Sequence, residues 1–230
     1  MTASSAVPTE LPGAAVPAEL PGAAVPVERP DAAVPVESPA DPKTFVRTAF
    51  DLGDVVLRPW TRADAESEAV LDALVSAAAD PMVALWNPIR ATDRDAARTW
   101  VEARDDGWEK GTAASFAIRD ATDGAVLGST TLRWTDRADG LAMIGYLLLP
   151  AARGRGAVTR AVAAITDWGF DTADVRRVEI AHAVENAASC RVADRCGYLP
   201  EGVLRESYRF GDGEYHDEHL HARLAKDPRP

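Results

Sequence analysis

Arg153-Gly154-Arg155-Gly156-Ala157-Val158 combines the residue types that can hold a diphosphate. Two guanidinium groups can fork onto phosphate oxygens, and two glycines, lacking a Cβ, let an anion approach the main chain closely. The run follows an apolar stretch, Ile144 to Leu149, and leads into Val158, Ala161, Val162, Ile165 and Trp168, one apolar stripe at helical period. The turn therefore stands at a helix N-terminus. There, unpaired N–H groups and the positive end of the macrodipole favour a nearby anion by about 0.3–1 kcal/mol per charge. Two nucleotide motifs are excluded: the Gly-x4-Gly-Lys-Ser/Thr loop is absent, and Gly-x-Gly-x-x-Gly fails because Thr159 stands where its third glycine belongs.

The segment resembles the coenzyme A signature of the GNAT acyltransferase superfamily, Gln/Arg-x-x-Gly-x-Gly/Ala, through Arg153 and Gly156, with Val158 at the last position. Downstream, Asn186, Ser189 and the pair Gly197-Tyr198 are similar to the Asn-x-x-Ser…Gly-aromatic segment of the superfamily's ribosomal-protein N-terminal (Rim-type) acetyltransferase branch. Two further pieces, Val126–Leu132 and the Asp212-Gly213 turn within 210–217, extend the resemblance over about residues 52–225 in the family's order. It implies that Arg153, Gly154, Arg155, Gly156, Ala157 and Val158 hold the pyrophosphate of acetyl-CoA as co-substrate. It further implies that main-chain groups of Leu147, Leu148 and Leu149 face the acyl group, and that Asn186 contacts the pantetheine arm. Ser189 and Tyr198 are the candidates to protonate the departing thiolate. Read from the residues alone, Asn186 equally well caps its helix and Ser189 packs.

The elements that must position these groups are legible by period. Val55 to Trp60 reads as a strand ending near a proline, Asp64 to Ala79 as one helix, and Thr92 as the cap of a second, with Trp86-Asn87-Pro88 in the loop between them. In that loop, Trp86-Asn87-Pro88 suits either an acceptor pocket or, at Trp86, a core plug. Strands follow at 114–118 and 125–134, then the cofactor strand and its helix, a strand at 177–181, a helix capped by Asn186 and ended by Gly197, and a terminal hairpin. This order predicts a mixed α/β fold. In the family it is a mostly antiparallel, splayed sheet flanked by helices, with cofactor entering the wedge beside the splayed strand.

Residues 7–42 repeat with a period of nine, Val7 to Ala15, Val16 to Ala24, Val25 to Ala33 and a decayed copy from Val34. Proline at the second and sixth positions of each copy opposes helix and central strand, so 1–44 is expected as a disordered Pro-rich tail, 45–226 as the acyltransferase domain and 227–230 as a short C-terminal tail. Of 230 residues, 47% are apolar and 27% charged, enough for one sizeable core. A net charge of −11 excludes generic nucleic-acid or anionic-membrane binding, so a polyphosphate must be held by a local patch. No apolar run nears the ~18 residues of a membrane span. Met1-Thr2-Ala3-Ser4 lacks the basic start of a signal peptide, so the cytoplasm is expected.

Cys190 and Cys196 lie six positions apart on one predicted helix and point to different sides, as packing residues with no partner histidine evident. Asp217, His219 and His221 alternate on one strand face, but the outer pair stands roughly 13 Å apart, too far for one metal with bonds near 2 Å, so no metal is expected. Glu102 and Glu109 are possible bases, with solvated glutamate the commoner role. An α-amine near pKa 8 is neutral more often than a lysine near 10.4, a bias of roughly 3.3 kcal/mol toward α-amino acceptors where no strong base is present. The expected activity is acetyl transfer from acetyl-CoA directly to a primary amine, on a protein N-terminus or a small molecule. The alternative is a non-catalytic acyl-CoA-binding regulatory module.

Overall fold

The computed structural model describes residues 44–230, so the repeats of 7–42, and all of the expected 1–44 tail except Thr44, lie outside the described residues. The chain forms β1 (Phe50–Asp51), β2 (Val55–Pro59), α1 (Arg62–Ala65), α2 (Glu68–Ala79), α3 (Pro81–Trp86) and α4 (Arg94–Glu109). Then come β3 (Ala113–Asp120), β4 (Val126–Asp136), β5 (Leu141–Leu148), a 3₁₀ turn (Pro150–Ala152) and α5 (Ala157–Thr172). β6 (Arg177–Ala183), α6 (Ala187–Arg195), β7 (Leu199–Arg209) and β8 (Tyr215–Leu224) complete it. The eight strands make one sheet in the order β1-β2-β3-β4-β5-β6-β8-β7. Only β5 and β6 pair in parallel, because α5 must carry the chain across between them.

Alternation along the strands builds two cores. Ala114, Phe116 and Ile118 of β3 point to one face with Leu132, Ile144 and the α5 stripe Ala161, Val162, Ile165 and Trp168. Ala117 and Leu147 point to the other, against Trp60 just after β2 and Leu71, Leu74, Trp100 and Val101 of the early helices. No helix among the described residues is long and apolar enough to cross a membrane.

Three local differences from the sequence reading have physical causes. The helix expected from Asp64 is broken, since the Asp64 carboxylate accepts from the Thr61 N–H (2.9 Å) and folds a short first turn, after which Ser67 starts α2 anew. Trp86, expected in a loop, is the last residue of a helix, because Asp80 accepts from Met82 N–H (3.1 Å) and Val83 N–H (3.0 Å) while Pro81 occupies the first helical position. The cap of α4 is Asp93, accepting from Ala96 N–H at 2.8 Å, one residue beyond Thr92. At the other end, residues 227–230 are tied down: the Leu224 N–H donates to Asp227 (2.8 Å) and Arg229 pairs with Asp171 (2.5 Å).

The β7–β8 hairpin is docked on α3 through a close backbone contact. Gly211 N–H donates to the Leu85 carbonyl at 3.0 Å, and a Cβ on Gly211 would fall 1.6 Å from the Ala84 carbonyl oxygen. Gly211→Ala must therefore push the hairpin off α3. A loss of about 1–3 kcal/mol is expected, seen as a lower denaturant midpoint with unchanged slope.

Candidate active site

Pairing between β5 and β6 stops at Met143/Glu179, although β5 runs on to Leu148 and β6 to Ala183. Beyond that point β6 stays with β8 and β5 stays with β4, so the two parallel strands part and leave a wedge. A cavity of about 490 Å³ fills it, within the usual range for small-ligand sites.

Parity decides which main-chain groups of β5 are free. Leu149 N–H donates to the Leu127 carbonyl at 2.9 Å, so the alternation of an antiparallel ladder turns Leu147 toward β4 as well, and Tyr146 and Leu148 away from it. Side-chain donors confirm the direction: Asn87 Nδ2 reaches the Tyr146 carbonyl (2.8 Å) and Arg153 Nη2 the Leu148 carbonyl (3.2 Å), both from the wedge side. Of the three leucines expected to face an acyl group, only Leu148 therefore presents its N–H there. Gly128 lets β4 approach β5 this closely, since a Cβ on it would lie 2.3 Å from the Leu147 carbonyl oxygen.

The predicted site residues divide. Leu147, Leu148, Arg153, Val158, Asn186 and Ser189 line the cavity. Gly154, Arg155, Gly156 and Ala157 form the turn at its rim, where Gly156 (φ +70°) is the N-cap of α5 and Gly154 (φ +77°) faces open space. Leu149 belongs to the opposite core. Asn186 caps α6, accepting from Ser189 N–H at 3.2 Å, and still lines the cavity, so the cap and contact roles coexist.

Tyr198 is corrected: it is fully buried, its hydroxyl lies 2.6 Å from Thr166 Oγ1, and it does not reach the cavity. Burial drives its phenol well above the ordinary range. Glu102 and Glu109 do not line the cavity either; they lie beside Arg62 (3.9 Å) and Arg47 (2.8 Å). Sequence reasoning missed Tyr146, whose side chain lines the cavity and whose hydroxyl donates to the Ser189 carbonyl at 3.4 Å. Burial pushes Tyr146 up to about 12, which keeps it a neutral donor at physiological pH. It also missed Glu218, the one carboxylate on the cavity wall, held by a 2.6 Å bond from Ser207 Oγ. Trp86 lines the cavity too, edge-on to Phe210 at 5.7 Å.

The turn's arginines are not free. Arg153 donates to Asp80 (2.5 Å), which holds that carboxyl below its usual range, and Arg155 pairs with Asp54 (3.3 Å) and Asp120 (3.4 Å). Arg160, one turn into α5, pairs with Asp54 too. These groups are exposed to solvent that screens them, so each pair is weak and can be exchanged for a polyanion. Asp54→Asn removes a competitor for two of the cations. Coenzyme A should then bind about 2–5-fold more tightly, as calorimetry would read; weaker binding would place the phosphates elsewhere.

A helix N-terminus opened by two glycines, a wedge onto which the Tyr146 and Leu148 N–H groups face, and a capped helix opposite form an arrangement that can seat an acyl thioester. Residues 54–199 match the family described as "Acetyltransferase (GNAT) domain". The chain belongs to the GNAT acetyltransferase family. Among GNAT relatives it is 32% identical over 120 residues to "Probable N-acetyltransferase YjcK" of Bacillus subtilis, covering 52% of this chain and 66% of that protein. It is 28% identical over 116 residues to the "Ribosomal-protein-serine acetyltransferase" of Escherichia coli, covering 50% of this chain and 63% of that protein. The chain thus spans just under two thirds of either relative. Among solved GNAT structures, "Mycobacterium smegmatis RimJ in complex with CoA-disulfide" superposes with a TM-score of 0.64 at 25% identity, over 75% of this chain and 82% of that one.

Proposed function

We propose that this protein transfers an acetyl group from acetyl-CoA directly to a primary amine in the cytoplasm, with a protein N-terminal α-amine as the favoured acceptor and a small-molecule amine as the second class. The observation that carries the reading is the unpaired Leu148 N–H facing the wedge, a fixed donor where the thioester oxygen gains charge. The residues fit the co-substrate: the α5 N-terminus with Gly154 and Gly156 suits a diphosphate, and the apolar wedge between β5 and α6 suits a pantetheine arm. Acetyl-CoA supplies an activated acyl carbon. The amine nitrogen attacks that carbon, the C–S bond breaks, the nitrogen gives up a proton, and the thiolate takes one up. Ser189, and Tyr146 as a neutral phenol, are the donors on the cavity wall for that thiolate. Glu218, on the wall of the cavity that Trp86 and Phe210 also line, can attract the cationic acceptor before reaction.

The name of the Escherichia coli relative, a ribosomal-protein-serine acetyltransferase, supports a protein acceptor. Thiol release from acetyl-CoA, with mass detection of product, is the test. The panel would set peptides with free α-amines against acetyl-capped lysine peptides and small amines. Acetylation of an α-amine ahead of capped lysine peptides is expected. Tight coenzyme A binding with no turnover on any amine would instead identify a regulatory acyl-CoA-binding module.

A further inference from the structure

Beside the cavity, whose wall His182 shares, four side chains from three elements converge: His182 on β6, Cys190 on α6, and His219 and His221 on β8. The β6–β8 register puts His182 directly opposite His219 and Ile180 opposite His221, so all three imidazoles share one sheet face, onto which α6 lowers Cys190. The His182 ring lies 5.5 Å from that of His219 and 5.2 Å from that of His221. Cys190 Sγ is 3.9 Å from His221 Nε2. The absence of a partner histidine read from the sequence is thereby corrected. Each residue offers one ligand atom, and the four atoms lie within 4.8 Å of one another.

A second observation points to a ligand. His182 Nδ1 lies 2.8 Å from the Ala183 carbonyl, which can only accept, so Nδ1 carries the proton and Nε2 keeps its lone pair. That Nε2 is buried without a hydrogen-bond partner, as is Nδ1 of His221, and the two residues are only 5% and 2% exposed. A ring whose far nitrogen is fixed by a carbonyl while its near nitrogen offers a lone pair is the arrangement that metal-binding histidines adopt.

The donor set of three imidazoles and a thiol, with no carboxylate, suits a borderline-soft cation in tetrahedral coordination. Bonds of ~2.0–2.3 Å place tetrahedral ligand atoms roughly 3.3–3.8 Å apart, so small side-chain rotations would close the present spacing. Cys190 and His219 are only half-buried and leave an entry path. The set differs from the single-strand one rejected on reach: Asp217 is turned away, accepting from Glu206 N–H at 2.8 Å.

We propose that His182, Cys190, His219 and His221 bind one zinc-class divalent cation, which staples α6 to β6 and β8. The inference rests on side-chain placement alone and is independent of the acetyl-transfer reading. The test uses the full chain, stripped of metal with a chelator, reduced, and titrated with Co²⁺ alone. One equivalent should bring up the thiolate charge-transfer band and the visible bands of tetrahedral Co²⁺, and Zn²⁺ should bleach them. Cys190→Ser should remove the charge-transfer band, and both it and His219→Asn should weaken Zn²⁺ binding at least about 10-fold. Zn²⁺ in hundredfold excess over its Kd should raise the Tm of the parent by about 5 °C or more, and that of His219→Asn by much less. His219 is half-buried, so this variant keeps the test valid if Cys190→Ser folds poorly. No Co²⁺ bands in the parent, or bands and Tm gain retained in both variants, would overturn the site.

Discussion

Gly156→Glu is expected to raise the dissociation constant for coenzyme A at least about 100-fold, a change of roughly 2.7 kcal/mol, measurable by calorimetry. Two effects of the substitution must be separated. Gly156 sits at φ +70° as the N-cap of α5, and a side chain in that left-handed conformation costs about 1–2 kcal/mol. That strain is present with or without ligand, so it lowers the stability of the turn and leaves affinity nearly untouched. The affinity loss comes from the carboxylate, which places a like charge where a phosphate would sit and takes up the α5 N–H groups itself. A Cβ at this position meets only Arg160 Nη1, at 3.5 Å, so bulk inside the protein is not the cause. Gly156→Ala is therefore the control: reduced stability, with coenzyme A affinity within a few-fold of the parent. If Gly156→Glu binds as tightly as Gly156→Ala, the diphosphate is not at this turn and the proposed co-substrate site is misplaced.

What the sequence reveals here is what local chemistry determines. The α5 stripe, the Asn186 cap and the Asp212-Gly213 turn each depend on residues within one element, and each forms where period and cap place it. The α3 helix carries the same kind of signal, Asp80 followed by Pro81 at the first helical position, and was legible in principle. Other features depend on register and on long-range contact. Asp80 is drawn to Arg153 across 73 residues, and nothing near either one announces the pair. Tyr198 follows the Gly197 turn, whose φ of +75° redirects the chain, so the ring swings into the core under Thr166 rather than toward the wedge. The histidines are the extreme case. Along β8 alone, His219 and His221 have no third ligand within reach, and the one they find, His182, lies about forty residues earlier, brought opposite by the β6–β8 pairing. Which leucine of β5 offers its N–H is likewise a matter of parity against β4, fixed by the Gly128↔Leu148 register and invisible in β5 itself.

That parity carries the second large prediction. Leu148→Pro deletes an N–H that bonds to no neighbouring strand, whereas Leu147→Pro deletes one that the ladder to Ser129 uses. Leu148→Pro should leave coenzyme A affinity within a few-fold of the parent while kcat falls about 10²–10³-fold, the usual cost of one lost oxyanion donor. Leu148→Ala, which shortens the side chain but keeps the N–H, should retain most of kcat, and so separates the main-chain role from the packing of Leu148 in the cavity wall. Leu147→Pro should instead destabilise the fold, because Leu147 is buried in the core beside the early helices and its pairing holds β5 to β4. Steady-state rates on the best α-amine acceptor, beside Tm for all three variants, decide the matter. A Leu148→Pro protein that turns over normally would remove the Leu148 N–H from the chemistry, and the stabilising donor would then have to come from the Tyr146 N–H or from side chains on α6.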